Sequence, residues 1–397
     1  MRILLLTHHY EPEIGAPQRR WGAFVRRFAE VGHSVTVLTS QPHYPAGRRL
    51  PGPRIPTWRP TTGRYGETVV RLPYLPHGPG AGGKLADQLV TAAASVLPGP
   101  GRRADVVVAT VPALPTLLAG TVLAAATRTP LVVEMRDAWP DLIGEAGVAR
   151  GRAGRAMTSL ISASQRRADA VVTTSTRFSR VLTERGLPRV ETIRNGVHTP
   201  AVPVSPVPPP RERLEVLYLG TVGLSQHIVG AVEAAHLLGG DRVRLTVVGE
   251  GAARADVAAA AARLGAPVRL LPRALGPALW EAYAEADTCL VSLQAWPSFE
   301  WTVPSKLYEL LATRRHVSAA VAGESAEIVA ESGGGDVVPP EDPAALAALW
   351  DGLSRDRARL DVGPAPRDWV ARHADLDALA DAYLDVLASV ARSRVTR

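Results

Sequence analysis

Apolar residues along this chain alternate between two rhythms. Short unbroken runs read as strands buried on both faces. Between them, apolar positions recur every three or four residues, as on one face of a helix. The runs RILLLT (2–7), HSVTVLT (33–39), ADVVVAT (104–110), PLVVEMRD (130–137), ADAVVTTS (168–175) and VETIRN (190–195) predict a first set of strands. A helix over 18–31 places Trp21, Phe24, Val25 and Phe28 on one face. A second set follows at LEVLYLG (214–220), VRLTVVGEG (243–251), VRLLPR (268–273), ADTCLVSL (286–293) and HVSAAVAG (316–323). Strands alternating with helices predict an α/β protein of two Rossmann-like, doubly wound parallel-sheet domains facing across a cleft.

The break between the sets is HTPAVPVSPVPPPRER, 198–213, which carries six prolines and no apolar period. Proline at that density predicts a semi-rigid connector. The expected organisation is a first domain over 1–198, a linker over 199–213 and a second domain over 214–365. Terminal helices over 366–397 follow, with Trp369, Leu376, Leu379, Tyr383 and Leu387 spaced to pack back on the first domain. The Pro-, Gly- and Arg-rich region 40–103 yields only the strand-like ETVVRL.

Composition narrows the class. With 46% hydrophobic and 21% charged residues the chain is expected to be a folded soluble protein and not a disordered one. One cysteine, Cys289 in TCLVSL, excludes an internal disulfide and a Cys-rich metal site and reads as a small buried hydrophobe. The net charge of +7 favours an anionic partner. No helix-turn-helix, zinc-finger or RNP pattern points to nucleic acid, so a phosphate-bearing substrate or an anionic membrane surface is expected instead. The opening MRILLLTHHY is too short an apolar run for a signal peptide, and no run reaches about 18 apolar residues. The protein is therefore expected on the cytoplasmic side of any membrane it touches.

Ligands of open α/β sheets bind beyond the carboxyl ends of the strands. The loop after the first run, HHYEPEIGAPQ, has neither G-x-G-x-x-G nor a Walker lysine, and no cofactor is expected. Its Gly15 precedes a helix, where it either lets a phosphate or sugar oxygen approach closely or serves as a plain left-handed turn residue. In the second half, LYLGTVGLSQ places Gly220 and Gly223, and VVGEG places Gly249, Glu250 and Gly251, at strand ends. Three such loops suggest a phosphorylated ligand.

The clearest signal is VPSKLYELL, 303–311. It contains one of only two lysines in an arginine-biased chain, the other being Lys84. Pro304 and Ser305 start a helix, whose first N–H groups attract anions. Lys306 adds a full charge in the same turn. Glu309 follows at i+3 from Lys306, either to accept ribose hydroxyls or as an ordinary i,i+3 partner of the lysine. Cation, amides and carboxylate together fit a nucleoside diphosphate.

In order along the chain, HHYEPEIGAPQRR, GHSVTVLTSQPHYPAGR, MRDAWPD, IRNGV, YLGTVGLSQ, VVGEG, AEADTCLVSL and VPSKLYELLATRRHV resemble a family 4 glycosyltransferase of GT-B fold, of the group that builds bacterial cell-envelope polysaccharides. The resemblance spans residue 1 to about 350. It implies a first domain for the acceptor and a second for a nucleotide sugar, usually a UDP-sugar. It sets Gly15 over the donor phosphates and Glu309, second glutamate of the E-x7-E motif, on the ribose. Ser305 and Lys306 fall at the diphosphate, with Gly220, Gly223, Glu250, Arg273 and Pro304 as further donor-side positions. Arg136, followed by Asp137, stands where many relatives carry a catalytic histidine, and His8 and His9 are carried over as cleft residues. Retention of anomeric configuration and independence from metal are implied as well.

Two departures matter. Trp301, with Glu300 beside it, replaces the first glutamate of the motif, and TVGLSQH lacks the cations that many relatives have there. The diphosphate charge then falls to Lys306, with Arg136 or Arg273 in support. For the acceptor, Arg19, Arg20, Arg26 and Arg27 on the first helix and Arg150, Arg152, Arg155, Arg166 and Arg167 around MTSLISAS form basic faces. These are either solvated or seated on anionic lipid carrying a polyprenyl-diphosphate-linked acceptor. A soluble small-molecule acceptor stays open, as do two other readings: a nucleotide-sugar epimerase, and a non-catalytic nucleotide-sugar-binding paralogue.

Overall fold

A computed structural model of the chain describes all residues except 53, 79, 100–102, 146, 148–150 and 396–397. It divides into two compact units, Met1–Arg194 with Leu376–Arg397, and Asn195–Asp375.

The first unit runs β1 (Arg2–Leu6), α1 (Ala16–Glu30), β2 (Ser34–Ser40), β3 (Pro60–Thr62), β4 (Thr68–Leu72), α2 (Ala81–Val96), β5 (Val106–Thr110), α3 (Leu114–Thr127), β6 (Leu131–Met135), α4 (Leu142–Glu145), α5 (Gly151–Arg167), β7 (Ala170–Thr173), α6 (Thr176–Glu184) and β8 (Val190–Thr192). Its sheet order is β3-β4-β2-β1-β5-β6-β7-β8. Every pairing is parallel except the short edge strand β3 against β4. The central strands are buried along their length, which is why they read as unbroken apolar runs. Pro17 lies in the first turn of α1, where its missing N–H is no loss.

The helix Leu376–Val395 closes one side of this unit. Its Tyr383, fully buried, packs its ring 5.5 Å from Trp21 and 5.6 Å from Phe24 of α1. Burial of such side chains contributes about 1.5–3 kcal/mol each. The same interface disposes of the basic face on α1. Arg27 Nε donates to Asp381 at 2.8 Å, and Arg26 pairs with Asp377 and Glu30. Arg20, only 3% exposed, is turned inward onto Glu134 of β6. Of the basic row on α1, Arg20, Arg26 and Arg27 are thus engaged by acids of this unit, while Arg19 is exposed. On α5, Arg152, Arg155, Arg166 and Arg167 are exposed, while Arg150 lies outside the described residues.

The second unit runs β9 (Leu214–Leu219), α7 (Ile228–Leu238), β10 (Val243–Val248), α8 (Arg254–Leu264), β11 (Val268–Leu271), α9 (Pro277–Glu285), β12 (Thr288–Ser292), α10 (Ser305–Thr313), β13 (His316–Ala320), α11 (Glu324–Ser332), β14 (Gly335–Val338), α12 (Pro343–Arg355) and α13 (Ala365–His373). Its sheet is wholly parallel, ordered β11-β10-β9-β12-β13-β14. Cys289 is buried in β12, and burial pushes its thiol up to about 12, so it is inert.

Two expected boundaries differ from this structure. The proline-rich stretch belongs to the second unit: Ser205 N donates to Thr313 O at 2.9 Å, and Arg315 Nη2 to Pro206 O at 2.8 Å. Helix α13 also belongs to the second unit, through Arg367, whose guanidinium donates to the carbonyls of Thr199, Val202 and Ala312. Only the helix from Leu376 packs on the first unit.

Candidate active site

In the second unit Lys306, in the first turn of α10, donates from Nζ to Glu309 Oε1 at 2.8 Å and to Tyr283 Oη at 2.9 Å. Tyr283, on α9, donates its hydroxyl to the same Oε1 at 2.7 Å. Tyr283 is fully buried and Glu309 is 4% exposed, while the Lys306 side chain is 24% exposed. A nearly buried carboxylate thus holds a half-buried ammonium at the start of a helix. This is the expected i,i+3 pair, but buried rather than on the surface. The side chain of Tyr283 carries no sequence signal, since its place in the triangle depends on how α9 packs.

The strand-end loops of this unit are knitted together. Val222 N donates to Glu250 O at 3.0 Å, and Gln294 N, after β12, donates to Ser225 O at 2.9 Å. Gly249 has φ +152, and a side chain there would strike the Gly220 carbonyl; at Gly251 it would strike that of Val222. These glycines are needed because two backbones cross in contact. Gly223 N donates to the Gln226 side chain at 3.0 Å. Glu250 is exposed and pairs with Arg254 at 3.4 Å, and Arg273 is exposed beyond β11. Pro304 caps α10 with extended backbone, and Ser305 is its first residue. Trp301 ends a short 3-10 turn, with Glu300 exposed beside it.

In the first unit, His8 and His9 follow β1. His9 Nδ1 donates to Glu13 Oε2 at 3.1 Å. Glu13 also receives Gln18 Nε2 at 3.1 Å and the amides of His43 and Tyr44 at 2.7 and 2.8 Å. Burial acts to raise the Glu13 pKa, but these donors together bring it down to about 2. Gly15 caps α1 with φ −171, which is extended backbone and not the left-handed turn offered as one alternative. A cavity of about 730 Å³ opens beside Tyr10, Glu13, Gln18, Arg19, Glu67 and Arg71. Another, of about 780 Å³, lies at the amino ends of the strands beside Met1, His33 and Asp105, away from these residues.

Arg136 and Asp137 follow β6, which is separated from β1 by β5. Burial lowers the Arg136 pKa against the opposing pull of Glu134, and burial raises that of Asp137. The Nε of Arg136 has no hydrogen-bond partner among the described residues. Beside them, Glu134 accepts from Arg20 Nε at 3.0 Å, Trp21 Nε1 at 3.0 Å and Thr110 Oγ1 at 2.6 Å. That network fixes the carboxyl end of β6. Glu13, Glu134 and Tyr283 were not singled out in the sequence; apart from His9, four residues before Glu13, the partners described here lie in other elements.

Comparison with known proteins agrees along the chain. The family model described as "Glycosyl transferase 4-like domain" matches residues 15–196, and the one described as "Glycosyl transferases group 1" matches 213–356. The protein of Escherichia coli (strain K12) that carries the name colanic acid biosynthesis glycosyl transferase WcaI is 26% identical over 333 residues, covering 79% of this chain and 81% of its own. Among solved structures, sucrose-phosphate synthase from Thermosynechococcus elongatus superimposes with TM-score 0.76 at 18% identity, covering 98% of this chain and 99% of its own. HepE from Anabaena, in complex with UDP and glucose, gives 0.70 at 17%, covering 98% and 99%. The fold and the two family matches together show a glycosyltransferase of GT-B architecture. Within that class the chain belongs to family 4, and it is a transferase enzyme.

Proposed function

We propose that the enzyme moves a sugar from a UDP-sugar to an acceptor of cell-envelope polysaccharide or a related glycoconjugate, retaining anomeric configuration and needing no metal ion at the diphosphate. The observation that carries this reading is the Lys306 ammonium, fixed by Glu309 and Tyr283 in the turn where helix N–H groups gather. The UDP named with HepE and the colanic acid named with WcaI support the donor and the setting.

In this reading the second unit holds the donor. Lys306 and the first-turn amides of α10 meet the diphosphate, with Gly220, Gly223, Glu250 and Arg273 on neighbouring loops, and ribose hydroxyls go to Glu309. The bond from the anomeric carbon to the phosphate oxygen breaks as the acceptor oxygen bonds from the same face. The acceptor's hydroxyl proton passes to the departing phosphate. Negative charge grows on that phosphate in the transition state, and prepositioned cations and amides lower the barrier. Arg136 is assigned as a second cation.

The first unit is assigned to the acceptor. The Glu13 bond fixes His9 with its proton on Nδ1, so Nε2 can accept from a substrate hydroxyl. The outer helices of this unit support a membrane-borne acceptor. Helix α3 packs on α2 and on α5, and the only carboxylate in the three sequences, Asp87, is buried. Their exposed side chains include Leu85, Leu89, Val122 and Leu160 together with Lys84 and the α5 arginines. An apolar and cationic face without exposed acid suits an anionic lipid surface on the cytoplasmic side. Among the described residues no helix is long and apolar enough to cross a membrane.

The test is incubation with UDP-, GDP- and dTDP-sugars, with and without lipid extract and Mg²⁺. Product formation from a UDP-sugar that needs the lipid, ignores Mg²⁺ and keeps the anomeric configuration by NMR supports the reading. Turnover of donor without any acceptor would identify an epimerase, and UDP binding without turnover would leave a binding protein.

A further inference from the structure

Three histidine nitrogens of the first unit converge on a single carboxylate oxygen. Asp87 Oδ2, on α2, lies 2.9 Å from His8 Nε2, 3.0 Å from His43 Nε2 and 3.9 Å from His77 Nε2. The histidines come from the loops after β1, β2 and β4, so four separate elements meet at this point. Asp87 is 1% exposed, the side chains of His8 and His43 2%, and that of His77 8%.

These separations have a recognisable scale. Ligands bonded at about 2.0–2.1 Å to a tetrahedral ion stand about 3.3–3.4 Å from one another, and the His43 and His77 distances bracket that edge. The outer hydrogen bonds point the same way. His43 Nδ1 faces Gln41 O at 2.7 Å, and His77 Nδ1 faces Gly78 O at 2.7 Å. A carbonyl cannot donate, so each Nδ1 carries a hydrogen and each ring turns its Nε2 towards Asp87. Two electron-rich atoms 3.0 Å apart need either an extra proton or a cation between them. The carboxylate is oriented in turn by Leu75 N, which donates to Oδ1 at 2.8 Å. Backing the ligating rings with carbonyls and the carboxylate with an amide is the usual outer support of a metal site. The hydrogen bonds account for only one nitrogen of His8, whose Nδ1 is buried with no partner among the described residues.

His77 is fixed from outside as well. Its N–H donates to Gly47 O at 2.9 Å, and Gly47, at φ +69, would strike the His77 carbonyl if it carried a side chain. His43, His77 and Asp87 offer atoms within 4.8 Å of one another, as do His8, His9 and His43.

We propose that His43, His77 and Asp87 bind a transition-metal ion of the Zn²⁺ type, cross-linking the loops after β2 and β4 to α2, with His8 packed against the same Asp87 oxygen. Two imidazoles and one carboxylate suit Zn²⁺ or Co²⁺, not Mg²⁺, which keeps oxygen ligands in octahedral array. The ion is structural and its ligands all belong to the first unit, so the assignment stands independently of the glycosyl-transfer reading.

The experiment strips the full chain with a chelator, then titrates it with Zn²⁺ by calorimetry and with Co²⁺ by visible absorption. One equivalent of each is expected, with the intense d–d bands of tetrahedral Co²⁺. His77→Ala removes a loop ligand that is not part of any helix or strand. It should weaken Zn²⁺ binding at least about tenfold, since losing even an outer-shell partner costs that much. Asp87→Asn should do the same, and exposed His236→Ala on α7 should change nothing. Should Asp87→Asn fail to fold, His77→Ala decides alone. Wild-type protein that binds no Zn²⁺, a six-coordinate Co²⁺ spectrum, or undiminished affinity in His77→Ala overturns the site.

Discussion

Lys306→Ala separates two roles that one ammonium can play. The substitution leaves the Glu309 carboxylate, 4% exposed, without the cation that donates to its Oε1 at 2.8 Å. Removing one partner of a buried ion pair costs about 3–5 kcal/mol. Lys306 itself is 24% exposed, so water can partly replace it and the cost falls below that range, to about 2–3 kcal/mol. For a unit the size of Asn195–Asp375 this lowers the melting temperature by roughly 4–12 °C. The double variant Lys306→Ala/Glu309→Gln removes the stranded charge and should regain most of that loss. Donor binding must behave differently. If the ammonium meets the diphosphate, one charge-assisted hydrogen bond of about 1.5–3 kcal/mol disappears, and UDP binds about 10–100-fold more weakly by calorimetry. The double variant does not restore it. Recovery of UDP affinity together with stability would refute the reasoning and reduce Lys306 to a structural counterion of Glu309.

Other outcomes follow from the same geometry. Arg20→Met strands Glu134, which is fully buried, and should cost about 3–5 kcal/mol in denaturant unfolding, whereas Arg26→Ala and Arg27→Ala, on partly exposed pairs, should be near neutral. Glu13 has a folded pKa of about 2 against an ordinary 4.5. Its stabilisation, of order 3 kcal/mol, is present above pH 4.5 and is lost as pH falls towards 2; Glu13→Gln should flatten that acid limb in pH-dependent melts. If the α2–α3–α5 face meets lipid, the protein should sediment with phosphatidylglycerol vesicles but not with phosphatidylcholine. Arg152→Glu/Arg155→Glu should weaken that binding at least about 30-fold, from about 1 kcal/mol per charge, and unchanged sedimentation would rule the face out.

What the sequence disclosed depended on distance along the chain. Strands such as Val106–Thr110 and Thr288–Ser292 are buried on both faces, so their apolar runs stood out unaided. Lys306 and Glu309 share one helix turn, and their pairing could be read from spacing alone. The region 40–103 hid more. There, β3 has three residues at a sheet edge, and α2 opens with two glycines and keeps Asp87 inside for a partner near residue 8. The basic face of α1 looked free because its acids, Glu134, Asp377 and Asp381, lie more than a hundred residues away. Likewise, the prolines of 198–213 signalled an extended backbone correctly but not that Thr313 and Arg315 would hold it.

The helix Leu376–Val395 has a consequence for how the protein is made. The chain leaves its first unit at Arg194 and returns to it only at Leu376. During synthesis the ribosome therefore delivers the whole second unit before Tyr383 can cover Trp21 and Phe24. The first unit to emerge must wait, with an aromatic face bare, as the last to be finished.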